Sequence, residues 1–313
     1  MTGMTGWRPG SLARFRSFIR RGLRRAFGPR GEEAVHAVYH VALRRLGRFG
    51  PPEDDRTLAV LGSFARHAAT IVDVGSNVGR YAWYFARLAP PGAAIFALEP
   101  HHVAARLGRL ALRPFPRAEV LEIALADEDG VAELVVPGGD HGSPVSGLSW
   151  IRRGSHDGEV AVAVRTLDGL VRAGQIALVN PIFVKIDVEG GEVAVLRGAI
   201  EVIRAHRPVI YFECQASTLE RQGDRPDELW SLLVAAGYRL YANRVGRFAR
   251  ARRVDDDVVN YLAIPIAAWD NNDGDDDGDL DERALAKGVE AWVNRDWAVA
   301  GPSALAGQSA DAK

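Results

Sequence analysis

An α/β architecture, with a mostly parallel Rossmann-like sheet and helices on both of its faces, is what this sequence predicts, and three observations predict it. Apolar runs of strand length recur at 70–74, 94–98, 182–186 and 208–214 without the period-two alternation of a half-solvated sheet. Amphipathic stretches of helical period lie between them. The first run passes directly into Asp73-Val74-Gly75-Ser76-Asn77-Val78-Gly79-Arg80-Tyr81, the order of a strand, a glycine-spaced turn and a helix.

The chain reaches that core late. Residues 1–69 read as a basic helical extension, 70–265 as the core, and 266–313 as an acidic linker, a short helix and a disordered tail. Residues 1–50 hold eleven arginines against Glu32 and Glu33, a local excess of nine positive charges. Leu12, Phe15, Phe18, Ile19, Leu23 and Phe27 recur among them at helical spacing, which describes a basic amphipathic helix suited to packing on the core or to peripheral contact with an anionic membrane. No apolar segment follows as in a secretory signal, and no apolar run is long enough to span a bilayer. Two further helical patterns, near 33–46 and 54–67, lead to the first core strand. At 313 residues and 47% hydrophobic content, the chain can bury one large α/β core. The single Cys214 forms no internal disulfide, which fits a reducing, cytoplasmic compartment.

The spacing of the first loop selects a cofactor. A dinucleotide loop needs Gly-x-Gly-x-x-Gly so that a helix amino end cradles a pyrophosphate, whereas here Asp73 and Asn77 stand where glycines would. An acid beside the loop repels a pyrophosphate but suits the charged amino group of a methionyl moiety, as in S-adenosylmethionine. Asp73 is placed to accept hydrogen bonds from ligand or loop amides, and the glycines let the backbone approach the ligand. Glu99, about twenty residues on and at the end of the second strand, is positioned to grip a ribose diol, and Pro100 stops that strand. His101 and His102 read as surface residues at a helix start. A third strand at 119–124 brings Ala124 and Leu125 toward the adenine side. Residues 137–158, rich in Gly, Ser, Pro and His, read as a long irregular substrate lid in which Trp150 is the one large ring. A strand at 160–165 and a capped short helix at 166–171 follow.

The second informative stretch is Val184-Lys185-Ile186-Asp187-Val188-Glu189-Gly190-Gly191-Glu192. Charge at the end of a buried strand is costly unless it is used. Alternation puts Lys185, Asp187 and Glu189 on one side, and the next buried strand also ends in an acid, Glu213.

Together with Ala124-Leu125-Ala126-Asp127, Thr166-Leu167-Asp168, Leu196-Arg197-Gly198-Ala199 and Ala236-Gly237-Tyr238, these blocks resemble the FkbM family of S-adenosylmethionine-dependent methyltransferases over residues 70–264. The resemblance implies a class I methyltransferase fold with a seven-stranded sheet, and O-methylation of a hydroxyl on a sugar, polyketide or related metabolite. It carries the cofactor role onto Asp73, Gly75, Asn77, Gly79, Tyr81 and Glu99. Where the family often has an aromatic residue after Glu-Pro, this chain has Ala104-Ala105-Arg106. The expected partner is a small-molecule or glycan acceptor and not nucleic acid. Methyl transfer to oxygen needs the hydroxyl proton removed, and Asp187, Glu189 and Glu213 are the candidate bases. The same carboxylates clustered would alternatively hold a divalent ion. A nicotinamide enzyme and a silent binding module are the competing classes.

The remaining elements are a helix at 227–236 and two last strands at 238–242 and 258–264, the final one expected at the sheet edge. Eleven acids and no Lys or Arg occupy 254–282, and Asp273-x-Asp275-x-Asp277-Gly278 imitates the start of a calcium loop, but Ala284 stands where its twelfth position needs a bidentate acid. A solvated linker followed by a helix over 280–297 is the expectation.

Overall fold

In the computed structural model, residues 37–136, 149–152, 160–255, 257–266 and 280–295 are described. They fall into two compact units, one ending at Phe49 and one beginning at Gly50. The first contains a helix, α1 (37–45). The helix α2 (Asp55–Ala65), from the stretch read as extension, belongs to the second unit and is capped by Asp54, whose side chain accepts from the Arg56 and Thr57 amides.

From there the chain alternates strand and helix: β1 (Thr70–Val74), α3 (Arg80–Leu88), β2 (Ala94–Leu98), α4 (His102–Leu112) and β3 (Ala118–Leu121). The next segment is a group of short strands, β4 (Ala124–Leu125), β5 (Gly130–Val135), β6 (Trp150–Arg152) and β7 (Ala161–Arg165), closed by α5 (Leu167–Arg172). Alternation then resumes with β8 (Ile182–Ile186), α6 (Glu192–Arg197), α7 (Ile200–His206), β9 (Val209–Glu213), α8 (Ala216–Arg221) and α9 (Pro226–Ala235). The last described elements are β10 (Tyr238–Arg244), β11 (Arg247–Ala251), β12 (Asn260–Pro265) and α10 (Glu282–Asn294).

The main sheet has the order β11-β10-β12-β9-β8-β1-β2-β3. β1, β2, β3, β8 and β9 pair in parallel, β12 runs antiparallel between β9 and β10, and β11 is antiparallel to β10. The central strands β1 and β8 are buried at every position, which is why their sequences are apolar apart from Thr70, Asp73 and Lys185. The sheet is therefore mostly parallel but eight-stranded rather than seven-stranded. The last strand, β12, is inserted inside the sheet, and the hairpin partner β11 takes the edge instead.

A second correction concerns 119–164. The expected third strand divides: β3 stays in the main sheet, while β4 pairs in parallel with β7 in a separate four-stranded sheet of order β4-β7-β5-β6. The expected irregular lid contains a strand, β6, antiparallel to β5, and its remainder apart from Ser149 lies outside the described residues. The basic helix over 12–27 and the acidic stretch 267–279 also lie outside them. At the carboxy-terminal end Trp292 is fully buried, edge-on to Phe64 at 5.6 Å, which fixes α10 to the core. No helix among the described residues is long and apolar enough to cross a membrane.

Candidate active site

The sheet changes direction of winding at β1, between β2 and β8, and a cleft opens beyond the carboxyl ends of these strands. Gly75, Asn77, Glu99, His101, Ala124, Leu125, Ser149, Ile151, Asp187 and Glu189 are among the residues that line it. Pro100 lines it as well. Thus the loop after β1, the end of β2, the short β4 and the end of β8 meet at one place, and the strand β6 contributes Ile151 from the second sheet.

Gly75 is required by the tightness of the junction. Its φ is +72°, and a Cβ there would lie 1.8 Å from the Asp187 carbonyl oxygen, so the turn after β1 and the end of β8 touch through backbone alone. Its amide and that of Ser76 donate to the Leu98 carbonyl, both at 3.0 Å. Asn77, also left-handed at φ +50°, presents its amide to Glu99 Oε2 at 2.8 Å. Glu99 Oε1 accepts from the His101 amide at 2.9 Å. Glu99 is 8% exposed, and burial pushes its carboxyl up to about 7 even with these two hydrogen bonds.

Asp73, Gly79 and Tyr81 are not among the residues lining the cleft; they lie behind the loop. Asp73 is completely buried and accepts from the Ala82 amide at 2.9 Å, tying β1 to the start of α3. Tyr81 donates its hydroxyl to Glu53 Oε1 at 2.6 Å. His101, expected at the surface, is buried and borders the cleft: its Nδ1 accepts from the Val103 amide at 3.2 Å as the cap of α4, and burial pushes its imidazole down to about 4. A neutral ring that accepts at Nδ1 carries its proton on Nε2.

Asp187 and Glu189, which line the cleft, converge with Glu213, which is not among its lining residues, one carboxylate oxygen of each lying within 4.8 Å of the others. Lys185 lies beneath them, 3% exposed, with Nζ 3.1 Å from Asp187, 3.4 Å from Asp73 and 3.2 Å from the Gly75 carbonyl it donates to. Burial alone would push this ammonium down, but Asp187 and Asp73 more than offset that and hold it above the ordinary lysine range. Asp187 is held below the ordinary aspartate range against its burial by Lys185 and by a hydrogen bond with Glu213. Burial and the neighbouring Asp187 push Glu213 the other way, so the pair divides into an anion and an acid.

Two parts of this arrangement were not singled out from sequence. Glu192, 0% exposed, folds its carboxylate back to accept from the Val188 and Gly190 amides at 3.0 and 3.2 Å, clamping the turn that carries Glu189. Glu189 itself has φ +56°, a strained value for a side-chain-bearing residue. Arg221 donates to its carbonyl at 2.9 Å and lies 4.1 Å from the Trp150 ring centroid, while Gln222 donates to the Ile151 carbonyl at 2.7 Å. In this way α8 and the residue after it join the strand β6 to the acidic end of the cleft. The Glu-x-x-Glu relation of 189 to 192 in sequence gives no sign of the clamp, because neighbouring acids in a glycine-rich turn read as solvated.

The cleft suits an adenosyl cofactor in its own terms. Glu99 has both oxygens engaged once and a further lone pair on each, which is the acceptor set a ribose diol needs. Ser76 Oγ and Asn77 Oδ1 are buried without a hydrogen-bond partner at the loop. Ala124 and Leu125 add apolar lining to the cleft.

The family model for the methyltransferase FkbM domain matches residues 73–240, more than half of the chain. The 2-O-methyltransferase NoeI of Sinorhizobium fredii (strain NBRC 101917 / NGR234) is 31% identical over 157 residues, a match that covers 46% of this chain and 62% of NoeI. The chain thus spans less than two thirds of that curated relative. Among solved structures, methyltransferase FkbM from Methylobacillus flagellatus KT is 17% identical with a TM-score of 0.39, covering 62% of this chain and 43% of its own. The O-methyltransferase from Bacillus cereus in complex with SAH is 14% identical with a TM-score of 0.41, covering 79% of this chain and 96% of its own.

Proposed function

This chain belongs to the FkbM methyltransferase family, and on that premise we propose that it transfers the methyl group of S-adenosylmethionine to a hydroxyl oxygen of a sugar, polyketide or related small-molecule or glycan acceptor. The observation that carries the reading is the polarity of the cleft: a buried ribose-type acceptor, Glu99, at one end and an anionic carboxylate, Asp187, held by a buried ammonium at the other. The similarity to a 2-O-methyltransferase supports oxygen as the acceptor atom.

When bound, the cofactor supplies a methyl carbon already activated by a positively charged sulfur. The chain then has three tasks. Glu99 takes the ribose hydroxyls, the loop of Gly75 and Asn77 lies against the ligand through backbone, and Ala124 and Leu125 flank the base. Asp73, Gly79 and Tyr81 support that loop from behind. Asp187 accepts the acceptor's hydroxyl proton as the oxygen becomes nucleophilic, and Lys185 keeps it anionic and oriented for that task. Glu213, holding a proton beside it, fixes the orientation of the Asp187 carboxylate, and Glu189 borders the acceptor side.

A second reading rests on the mutual proximity of the Asp187, Glu189 and Glu213 oxygens: the three carboxylates would bind a divalent ion that lowers the hydroxyl pKa. One assay separates the two. Methyl transfer from labelled S-adenosylmethionine to hydroxylated glycans and polyketides is measured with and without EDTA; the direct base is indifferent to the chelator, whereas loss restored by magnesium, manganese or calcium supports the ion. Failure to bind S-adenosylhomocysteine by calorimetry would overturn both.

A further inference from the structure

We propose that α1 is a docking face for an anionic lipid bilayer, seated by an apolar stripe and steered by the arginines around it. Val38, Ala42 and Leu46 follow one another at a spacing of four, so they lie on one side of the helix and the turn that ends it, with Tyr39 beside them. That side faces solvent among the described residues: Val38 is 69% exposed, Leu46 68% and Tyr39 40%, and Ala42 is exposed as well. The opposite side does the local packing. His40 meets the fully buried Phe49 ring edge-on at 5.6 Å, and the Arg44 guanidinium lies 5.9 Å from the same ring centroid. A helix folded only for its own unit would turn its aliphatic residues toward Phe49 and its cations outward. Here Val41 and Leu43 are half-buried, but Val38, Ala42 and Leu46 are left outside.

The charge around the stripe identifies its occupant. Arg45 and Arg48 are exposed beside it, and eight more arginines precede it in sequence against Glu32 and Glu33 alone. Cations flanking an apolar stripe match a surface that offers phosphate head groups and hydrocarbon together. A nucleic acid would use the arginines and leave the stripe without a partner. A second copy of this segment would bring like charge against like.

The test uses the full-length protein and vesicles of phosphatidylglycerol mixed with phosphatidylcholine. Co-sedimentation is expected at about 0.05 M salt, with a marked fall at about 0.5 M and none on pure phosphatidylcholine. Replacing both exposed anchors, Val38→Asp with Leu46→Asp, is expected to lower vesicle partitioning about tenfold or more while leaving the melting temperature unchanged. Because Cys214 is buried, Val38→Cys gives a single accessible thiol; an environment-sensitive fluorophore there should shift to the blue on anionic vesicles. No sedimentation at low salt, wild-type partitioning by the double Asp variant, or an unshifted fluorophore would each overturn the proposal. So would an RNA oligonucleotide bound equally well by wild type and double variant if it strips both from the vesicles, since the arginines alone would then account for the binding.

Discussion

At Glu99, burial and ligand binding pull on the same proton. The carboxyl is raised to about 7 by burial, while a ribose diol needs it ionised to accept two hydroxyl protons. Cofactor affinity should therefore weaken as pH falls through about 7, and calorimetric titration with S-adenosylhomocysteine between pH 6 and 8.5 reads this directly. Glu99→Ala should cost about 1.5–3 kcal/mol of that affinity at pH 8, the range for hydrogen bonds to a charged group. Undiminished affinity in this variant would remove the ribose role from Glu99. At Asp187 the expectation is different, because a base acts on the acceptor and leaves the cofactor alone. Asp187→Asn should lower kcat by about 10²-fold or more with little change in S-adenosylhomocysteine affinity. Glu213→Gln should be milder, since Glu213 already carries a proton and an amide keeps a donor beside Asp187. If Glu213→Gln proves the more damaging of the two, the assignment of base and acid in the pair is reversed.

At the scale of elements, the parts that form the cleft differ in how far sequence alone reveals them. β1, its loop, β2, β8 and β9 are readable because a strand buried on both faces is mostly apolar, and a charge at its end then stands out, as at Glu99, Asp187 and Glu213. The four-stranded sheet was not readable. β4 has two residues and β6 three, too few to show a period, and their pairing depends on β7 and β5 rather than on local pattern. The roles of Asp73 and Tyr81 behind the loop, and of His101 beside the cleft, follow from packing that spacing does not encode. Gly75 is the element-level test. A Cβ there meets backbone that cannot move without parting β1 from β8, and its φ is unfavourable for any side chain. Gly75→Ala should lower stability by about 2–4 kcal/mol in urea denaturation, and cofactor binding should be lost in whatever fraction remains folded. A neutral outcome would mean that the turn has another arrangement.

For the whole molecule, the buried acids set a pH dependence whose sign is opposite to the familiar one for salt-bridged carboxylates. Glu99 and Glu192 move from an ordinary 4.5 to about 7 on folding, in both cases because burial disfavours the anion. Between these values the folded protein keeps protons that the unfolded chain has released, so the stability they contribute is fully present below about 4.5 and is lost as pH rises through about 7. Asp54 and Asp187 run the other way: against partial desolvation, hydrogen bonds from Thr57 and Arg56 hold the first below the ordinary range and Lys185 with Glu213 the second, and their contribution is lost only as pH falls beneath the usual aspartate value. The ligand-free protein should thus be most stable near pH 5–6 and lose about 1–3 kcal/mol for each of the two glutamates by pH 8, a fall of several degrees in melting temperature. Glu192→Gln keeps an acceptor for the Val188 and Gly190 amides and has no charge to bury, so it should remove its own share of that fall, to which Glu189 and Glu213, raised by burial to about 7 and about 9, also add, and melt above wild type at pH 8. Saturating S-adenosylhomocysteine should act on the share of Glu99, the carboxyl assigned to the ribose, and the two effects should add. A melting temperature that stays level from pH 5.5 to 8 in wild type, or a slope that Glu192→Gln leaves unchanged, would show that the clamp behind Glu189 is ionised in the folded protein and that its buried Oε2 has a partner to balance the charge.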